Sequence, residues 1–184
     1  MAVVGFKPTY RCVLREVALD QYGYVTTSDA RSCGVPVVEL PKLAARGGLR
    51  RIAYGLYRFD DIPSTDQDLY MEATLRVGSD AYLAAETVLA FHNLAFVNPL
   101  RISVVTSRRV RAKLPGWVKV VSQTRPVEIV EYDGIRSMSV KDALLGCVGH
   151  VMPERLVEAC YEATNQGLLD RRDTQHVLAK IRKP

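Results

Sequence analysis

The chain has 184 residues, 48% of them hydrophobic, and a formal net charge of +5. That length supports one large or two small domains with an ordinary packed core, and the modestly basic balance suits a polyanionic partner. No stretch approaches the roughly 18 uncharged apolar residues of a membrane span, and MAVVGFKPTY lacks the charged start and long apolar run of a secretory signal, so no membrane partner is expected and a cytoplasmic location is.

Residues 1–9 read as a short arm, with Lys7-Pro8-Thr9 as lead-in to a helix over 10–22, where Val13, Leu14, Val17 and Ala18 share one face. Gly23 ends that helix. Thr26, Thr27, Ser28 and Asp29 are residues that cap helix starts, so a short helix follows over 30–33, stopped by Gly34. Pro36 suits the first position of a second helix, on which Leu40, Leu43 and Ala44 form a buried stripe. Pro41 would break the interior of that helix; the helix either starts near Val38 or bends. After Gly47-Gly48 come two short apolar and basic runs, 49–52 and 56–59, joined by Ala53-Tyr54-Gly55 as a hairpin turn. Helix, turn, helix and basic hairpin together predict a winged helix-turn-helix over 1–60.

Residues 61–66 are polar with a proline and read as an interdomain linker. The expected second domain, 67–184, opens with helices over 66–77 and 80–93, the second capped by Ser79. Four strand-like runs follow at 101–106, 117–121, 127–132 and 135–139, with Asp133-Gly134 as a hairpin turn. Helices over 140–147, 153–165 and 170–181 close the chain. The predicted class is therefore α+β: a winged head, then helices with a small, mainly antiparallel sheet.

Charge is unevenly spread. Residues 1–60 hold nine Lys/Arg against five Asp/Glu. Between Thr87 and Val127 there is no acidic residue, yet Arg101, Arg108, Arg109, Arg111, Lys113, Lys119 and Arg125 lie there as a second basic patch, or as a merely solvated face. The four cysteines form no C-x-x-C pair, and three sit among apolar residues, which predicts buried free thiols. His92, His150 and His176 make no ligand cluster, so no metal or cofactor is expected. Phosphate-loop glycines and a nucleophile elbow are absent. Glu128, Glu131 and Asp133 could imitate a nuclease cluster but lack an ordered lysine, and no enzyme is predicted. His92 reads as a hydrogen-bonded core residue.

The head offers a duplex-facing set. Thr26, Thr27 and Ser28 sit at a helix start, where hydroxyls and free N–H groups meet phosphates. Val37, Glu39, Lys42 and Arg46 occupy the second helix away from its packing stripe, Lys42 and Arg46 suiting bases or phosphates and Glu39 a cytosine amine. Arg50, Arg51 and Arg58 with Tyr54 make a basic wing. The competing reading is a winged protein-interaction module without sequence-specific DNA binding.

Five stretches carry a resemblance. GYVTTSDARSCGV (23–35) and LPKLAARGGLRRIAYGLYRF (40–59) resemble the winged domain of AbiEi-type antitoxins, the antitoxin half of type IV toxin–antitoxin pairs. SDAYLAAETVLAFHNL (79–94) is similar to that family's buried helix ending in a histidine-containing turn, and 137–147 and 156–173 resemble its closing helices. The chain departs from the pattern at Pro36, Pro41 and Lys141-Asp142, where members often show Arg-Thr. The resemblance implies binding to operator inverted repeats in double-stranded DNA and repression of the chain's own operon. It also implies that the C-terminal domain counters a nucleotidyltransferase-like toxin without a stable complex.

Overall fold

A computed structural model describes residues 8–182, so positions 1–7 of the predicted arm lie outside the described residues. The chain divides into two compact units, the first ending at Arg76 and the second beginning at Val77.

The first unit runs α1 (Tyr10–Leu19), β1 (Tyr24–Thr26), α2 (Thr27–Ser32), α3 (Glu39–Ala45), β2 (Leu49–Ala53), β3 (Leu56–Phe59) and most of α4 (Asp68–Val77). Thr9 starts α1, its hydroxyl accepting the Cys12 N–H at 3.3 Å. The strands make one antiparallel sheet in the order β1-β3-β2. Leu14, Ala18, Val25, Leu40, Leu49 and Phe59 pack the core. This is the winged arrangement expected, with the added strand β1 where only a helix start was read.

Pro36 precedes α3 in a turn, with the Glu39 N–H donating to its carbonyl at 2.9 Å. Pro41 is then the third helical residue, where an N–H has no partner within the helix, so no bond is lost. Of the two readings of this proline, the later helix start is the one observed. At the wing, Gly55 takes φ +72, and the register slips between Arg51 and Ala53.

The expected boundary at 61–66 is corrected. Arg58, 5% exposed, sits 2.8 Å from Asp68 on α4 and also donates to the Ile62 carbonyl at 3.1 Å and the Ser64 hydroxyl at 3.0 Å. The Tyr24 hydroxyl donates to Glu72 at 2.7 Å, and Arg76 bonds both Glu72, at 2.7 Å, and the Ile52 carbonyl, at 3.2 Å. These bonds pin residues 62–64 to the head and make α4 part of it.

The second unit contains β4 (Tyr82–Leu83), α5 (Glu86–Phe91), β5 (Ile102–Val105), β6 (Val118–Val120), β7 (Ile129–Tyr132), β8 (Ile135–Met138), α6 (Val140–Cys147), α7 (Pro153–Asn165) and α8 (Arg171–Arg182). Its sheet, β6-β5-β4-β8-β7, is mixed: β4 pairs antiparallel with β5 and parallel with β8, and β5 pairs parallel with β6. A mainly antiparallel sheet was expected. The parallel β4–β8 pair comes from strand β4, which the sequence reading lacked, and the parallel β5–β6 pair from a crossover between two expected strands. Ala85, at φ 49 and ψ −126, breaks the supposed helix 80–93 into β4 and α5. The Asp133-Gly134 turn takes positive φ at both residues, as its sequence requires.

Two thiols, Cys147 and Cys160, are buried and free; Cys12 and Cys33 are exposed, one fewer buried thiol than the apolar neighbours suggested. His92 closes α5, edge-on to Phe91 (4.8 Å) and Tyr132 (4.5 Å). Its Nε2 is buried with no hydrogen-bond partner, contrary to the expected bonded imidazole. Burial lowers its pKa from 6.5 to about 4, with Asp133 opposing.

Two outcomes follow. Arg58→Ala leaves Asp68 buried and unpaired and should cost about 3 kcal/mol in urea unfolding, against less than about 0.5 kcal/mol for exposed Arg50→Ala; equal costs would contradict the buried pair. Because the unfolded His92 binds its proton near 6.5 and the folded one only near 4, stability should fall as pH drops through that window. His92→Phe should flatten that limb of the urea midpoint against pH, and parallel limbs would speak against it.

Candidate nucleic-acid interface

Helix α3 buries Leu40 and packs Leu43 and Ala44 against the core, which fixes what faces outward. Val38, Pro41, Lys42, Ala45 and Arg46 are exposed, at the i, i+3, i+4, i+7, i+8 spacing of one helical face. Of the predicted groove residues, Lys42 and Arg46 lie on that face. Val37 and Glu39 do not: both are half-buried, and the Glu39 carboxylate accepts from Lys42 Nζ at 2.8 Å. Reading the helix from Pro36 put these two on the wrong side. The buried stripe, taken as its register, already implied Val38, Pro41 and Ala45.

Three of the four predicted wing residues are exposed. Arg50 is exposed and only 3.6 Å from Asp60 at its nearest, a loose pair. Arg51 is exposed, with one bond from Nε to the Ala53 carbonyl at 3.4 Å. Tyr54 stands at the turn, 94% exposed. Arg58 is corrected: it lies on the central strand β3, all four residues of which are buried, and its charge is spent on Asp68.

The helix-start trio is also corrected in part. The Thr26 hydroxyl accepts the Asp29 N–H at 3.1 Å while Asp29 Oδ2 accepts the Thr26 N–H at 2.7 Å, a reciprocal cap. That carboxylate occupies the position proposed for a phosphate. Thr27 donates its N–H to the Gly55 carbonyl at 2.9 Å and abuts the wing turn closely enough that a Cβ on Gly55 would meet its hydroxyl at 3.1 Å. Thr27 therefore braces the wing, and only Ser28 of the three is exposed. Exposed Arg31, on the same helix, was not read as a contact, although three positions from Ser28 puts it on the same side.

All seven residues of the second patch are exposed, but they do not form one stripe. Arg101 precedes β5, while Arg108, Arg109, Arg111 and Lys113 follow it in the crossover to its parallel neighbour β6. Lys119 lies on edge strand β6 and Arg125 beyond its end. Arg108 lies 3.7 Å from Asp80. Bonds from Ser107, then Thr106, lower the Asp80 pKa to about 2. Among the described residues no group of three His, Cys, Asp or Glu side chains could hold a metal.

Residues 13–59 match the family model described as "Transcriptional regulator, AbiEi antitoxin". The matched stretch lies within the winged head and contains both segments, 23–35 and 40–59, on which the sequence resemblance of the winged domain rests. No curated protein matches the chain. The crystal structure of the RV2827C protein from Mycobacterium tuberculosis is similar over 94% of this chain and 82% of that one, at 16% identity and a TM-score of 0.40, too loose a likeness to carry an argument.

Each lost phosphate contact lowers the slope of log affinity against log salt by about 0.9. The triple variant Arg46→Ala, Arg50→Ala, Arg51→Ala should therefore bind mixed-sequence duplex with a slope shallower by about 2 to 3. An unchanged slope in fluorescence anisotropy would remove these side chains from the interface.

Proposed function

We propose that the chain is an antitoxin that represses its own operon by binding operator inverted repeats through its head, and that its tail counters a nucleotidyltransferase-like toxin encoded beside it. One observation carries the reading: Arg46, Arg50, Arg51 and Tyr54 stand exposed together on α3 and the wing of a head that matches the AbiEi regulator model. Guanidinium groups bind phosphate oxygens and fix the register of a helix in a groove. Val38, Pro41 and Ala45 present an apolar surface to base edges, where thymine methyl groups reward such contact. Ser28 and Arg31 extend the phosphate-facing side onto α2.

For the tail, the support is the exposed cations between Arg101 and Arg125, which suit a polyanion shared with the toxin and need no lasting complex with the toxin itself. The second reading is a protein-interaction module. The Glu39–Lys42 pair favours it by leaving the centre of α3 close to neutral, while the wing cations favour DNA. No helix among the described residues is long and apolar enough to cross a membrane.

The test is a promoter-fragment gel shift at fixed salt, paired with toxin co-expression. The Arg46/Arg50/Arg51 triple-alanine chain should lose promoter retention yet still protect cells. Alanine at Arg108, Arg109, Arg111 and Lys113 should keep retention and lose protection. If the head triple retains promoter DNA as the native chain does, the interaction-module reading prevails.

A further inference from the structure

Beside the irregular segment 121–127, the second unit holds a cavity of about 570 Å³; of its lining, the reading above uses only Lys119 and Arg125, as members of the tail's cationic set. Pockets of that size hold small organic ligands rather than single waters. We propose that this cavity binds a small organic anion that also bears an N–H donor, the class of a nucleoside phosphate.

Three features of the wall carry the proposal. Lys119, on β6, and Arg125, beyond it, line the cavity and have no acidic partner among the described residues. They supply two unspent positive charges for a phosphate, Arg125 with a fork matched to its oxygens. Glu86 lines the same cavity, half-buried, with no hydrogen bond or ion pair among the described residues. A carboxylate can only accept, so a half-buried free one calls for a donor, such as the exocyclic amine of a base. The other acid in the wall, Asp142, is already spent on the Glu128 N–H at 2.7 Å and the Ser139 hydroxyl at 3.1 Å. Val121, Met138 and Leu145 add the apolar surface that a planar ring covers.

The backbone next to Glu86 points the same way. Ala85 also lines the cavity, and it holds φ 49, ψ −126, a conformation that glycine adopts freely and alanine resists. Sparsely populated backbone of this kind gathers at ligand sites, where surrounding structure enforces it. The enforcement is visible: Thr87, fully buried, accepts the Ser103 N–H at 2.8 Å and ties the start of α5 to β5. Cys147 is the one thiol in the wall, and burial, with the Glu86 charge, pushes it up to about 12. It stays protonated, so the site binds its ligand without attacking it.

The cavity shares no residue with α3 or the wing, so its test is independent of the operator reading. The full chain is titrated calorimetrically with AMP, GMP, CMP, UMP, the corresponding triphosphates and inorganic phosphate. At least one nucleotide should bind with Kd below about 1 mM and raise Tm by mass action. Glu86→Gln should weaken it by about tenfold or more, as should Lys119→Ala or Arg125→Ala. All three variants should keep native Tm without ligand and native promoter retention. The proposal is overturned if none of the nucleotides binds at about 1 mM, if binding survives all three substitutions, or if inorganic phosphate binds as tightly as the nucleotides, since Glu86 would then have no donor to meet.

Discussion

The buried ion pair between Arg58 and Asp68 decides how the head is built. Two charges removed from water repay their desolvation only if further hydrogen bonds satisfy them. Here they do. Arg58 donates to the carbonyls of Phe59, Ile62 and Pro63, to the Ser64 hydroxyl and to Asp68, and its guanidinium lies 5.6 Å from the Tyr24 ring centre. The Asp68 carboxylate in turn accepts the N–H and hydroxyl of Thr65, both at 2.9 Å. One guanidinium thereby folds the segment after the wing and docks the start of α4. The far end of α4 reaches the wing through Arg76, which holds the Ile52 carbonyl beside the slipped register of β2. A helix read as the opening of the tail is thus what steadies the wing.

That misreading shows where sequence stops being informative. A basic residue on a hairpin strand is ordinarily a surface charge, and nothing local distinguishes Arg58 from Arg50. The difference comes from β1, which pairs with β3 and makes it central. Three residues leading into a helix carry no strand signal of their own. Once β3 is flanked on both sides, Arg58 has nowhere to reach solvent, and its partner lies ten residues on, across an apparent linker. By contrast, Leu40, Leu43 and Ala44 gave the register of α3 locally, because core packing and helical period are the same fact there. Pro41 looked like a fault only because Pro36 invited too early a start.

The tail divides the same way. Helices α6 and α7 fall on the expected spans 140–147 and 153–165, and Ser139 caps α6 by accepting the Asp142 N–H at 3.2 Å. The departures at Lys141-Asp142 prove structural: Lys141 bridges to Asp173 on α8 at 2.6 Å, and Asp142 holds both the α6 cap and the Glu128 N–H. The run 79–94, helical in composition, could not announce its break at Ala85, because alanine favours the helix and carries no signal for positive φ. The basic patch was legible as composition and illegible as geometry, since a parallel crossover sends its members to different ends of one strand pair.

What the head offers DNA, in the reading proposed, is unequal in kind. Its outward cations lie at the margin of the recognition surface, on the wing and at the end of α3. The centre of α3 is Val38, Pro41 and Ala45, beside a lysine already paired to Glu39. Strong base discrimination usually comes from bidentate Arg or Asn contacts to base edges, and this face places none at its middle. Cationic margins with an apolar centre favour docking by phosphate contacts and selection by methyl groups and groove shape. Shape is read only if the reading surface is stiff. The network from Arg58 through Asp68, Glu72 and Arg76 supplies that stiffness where the wing needs it, so the charge that seemed lost to the interface contributes by fixing the angle at which the remaining charges meet the duplex.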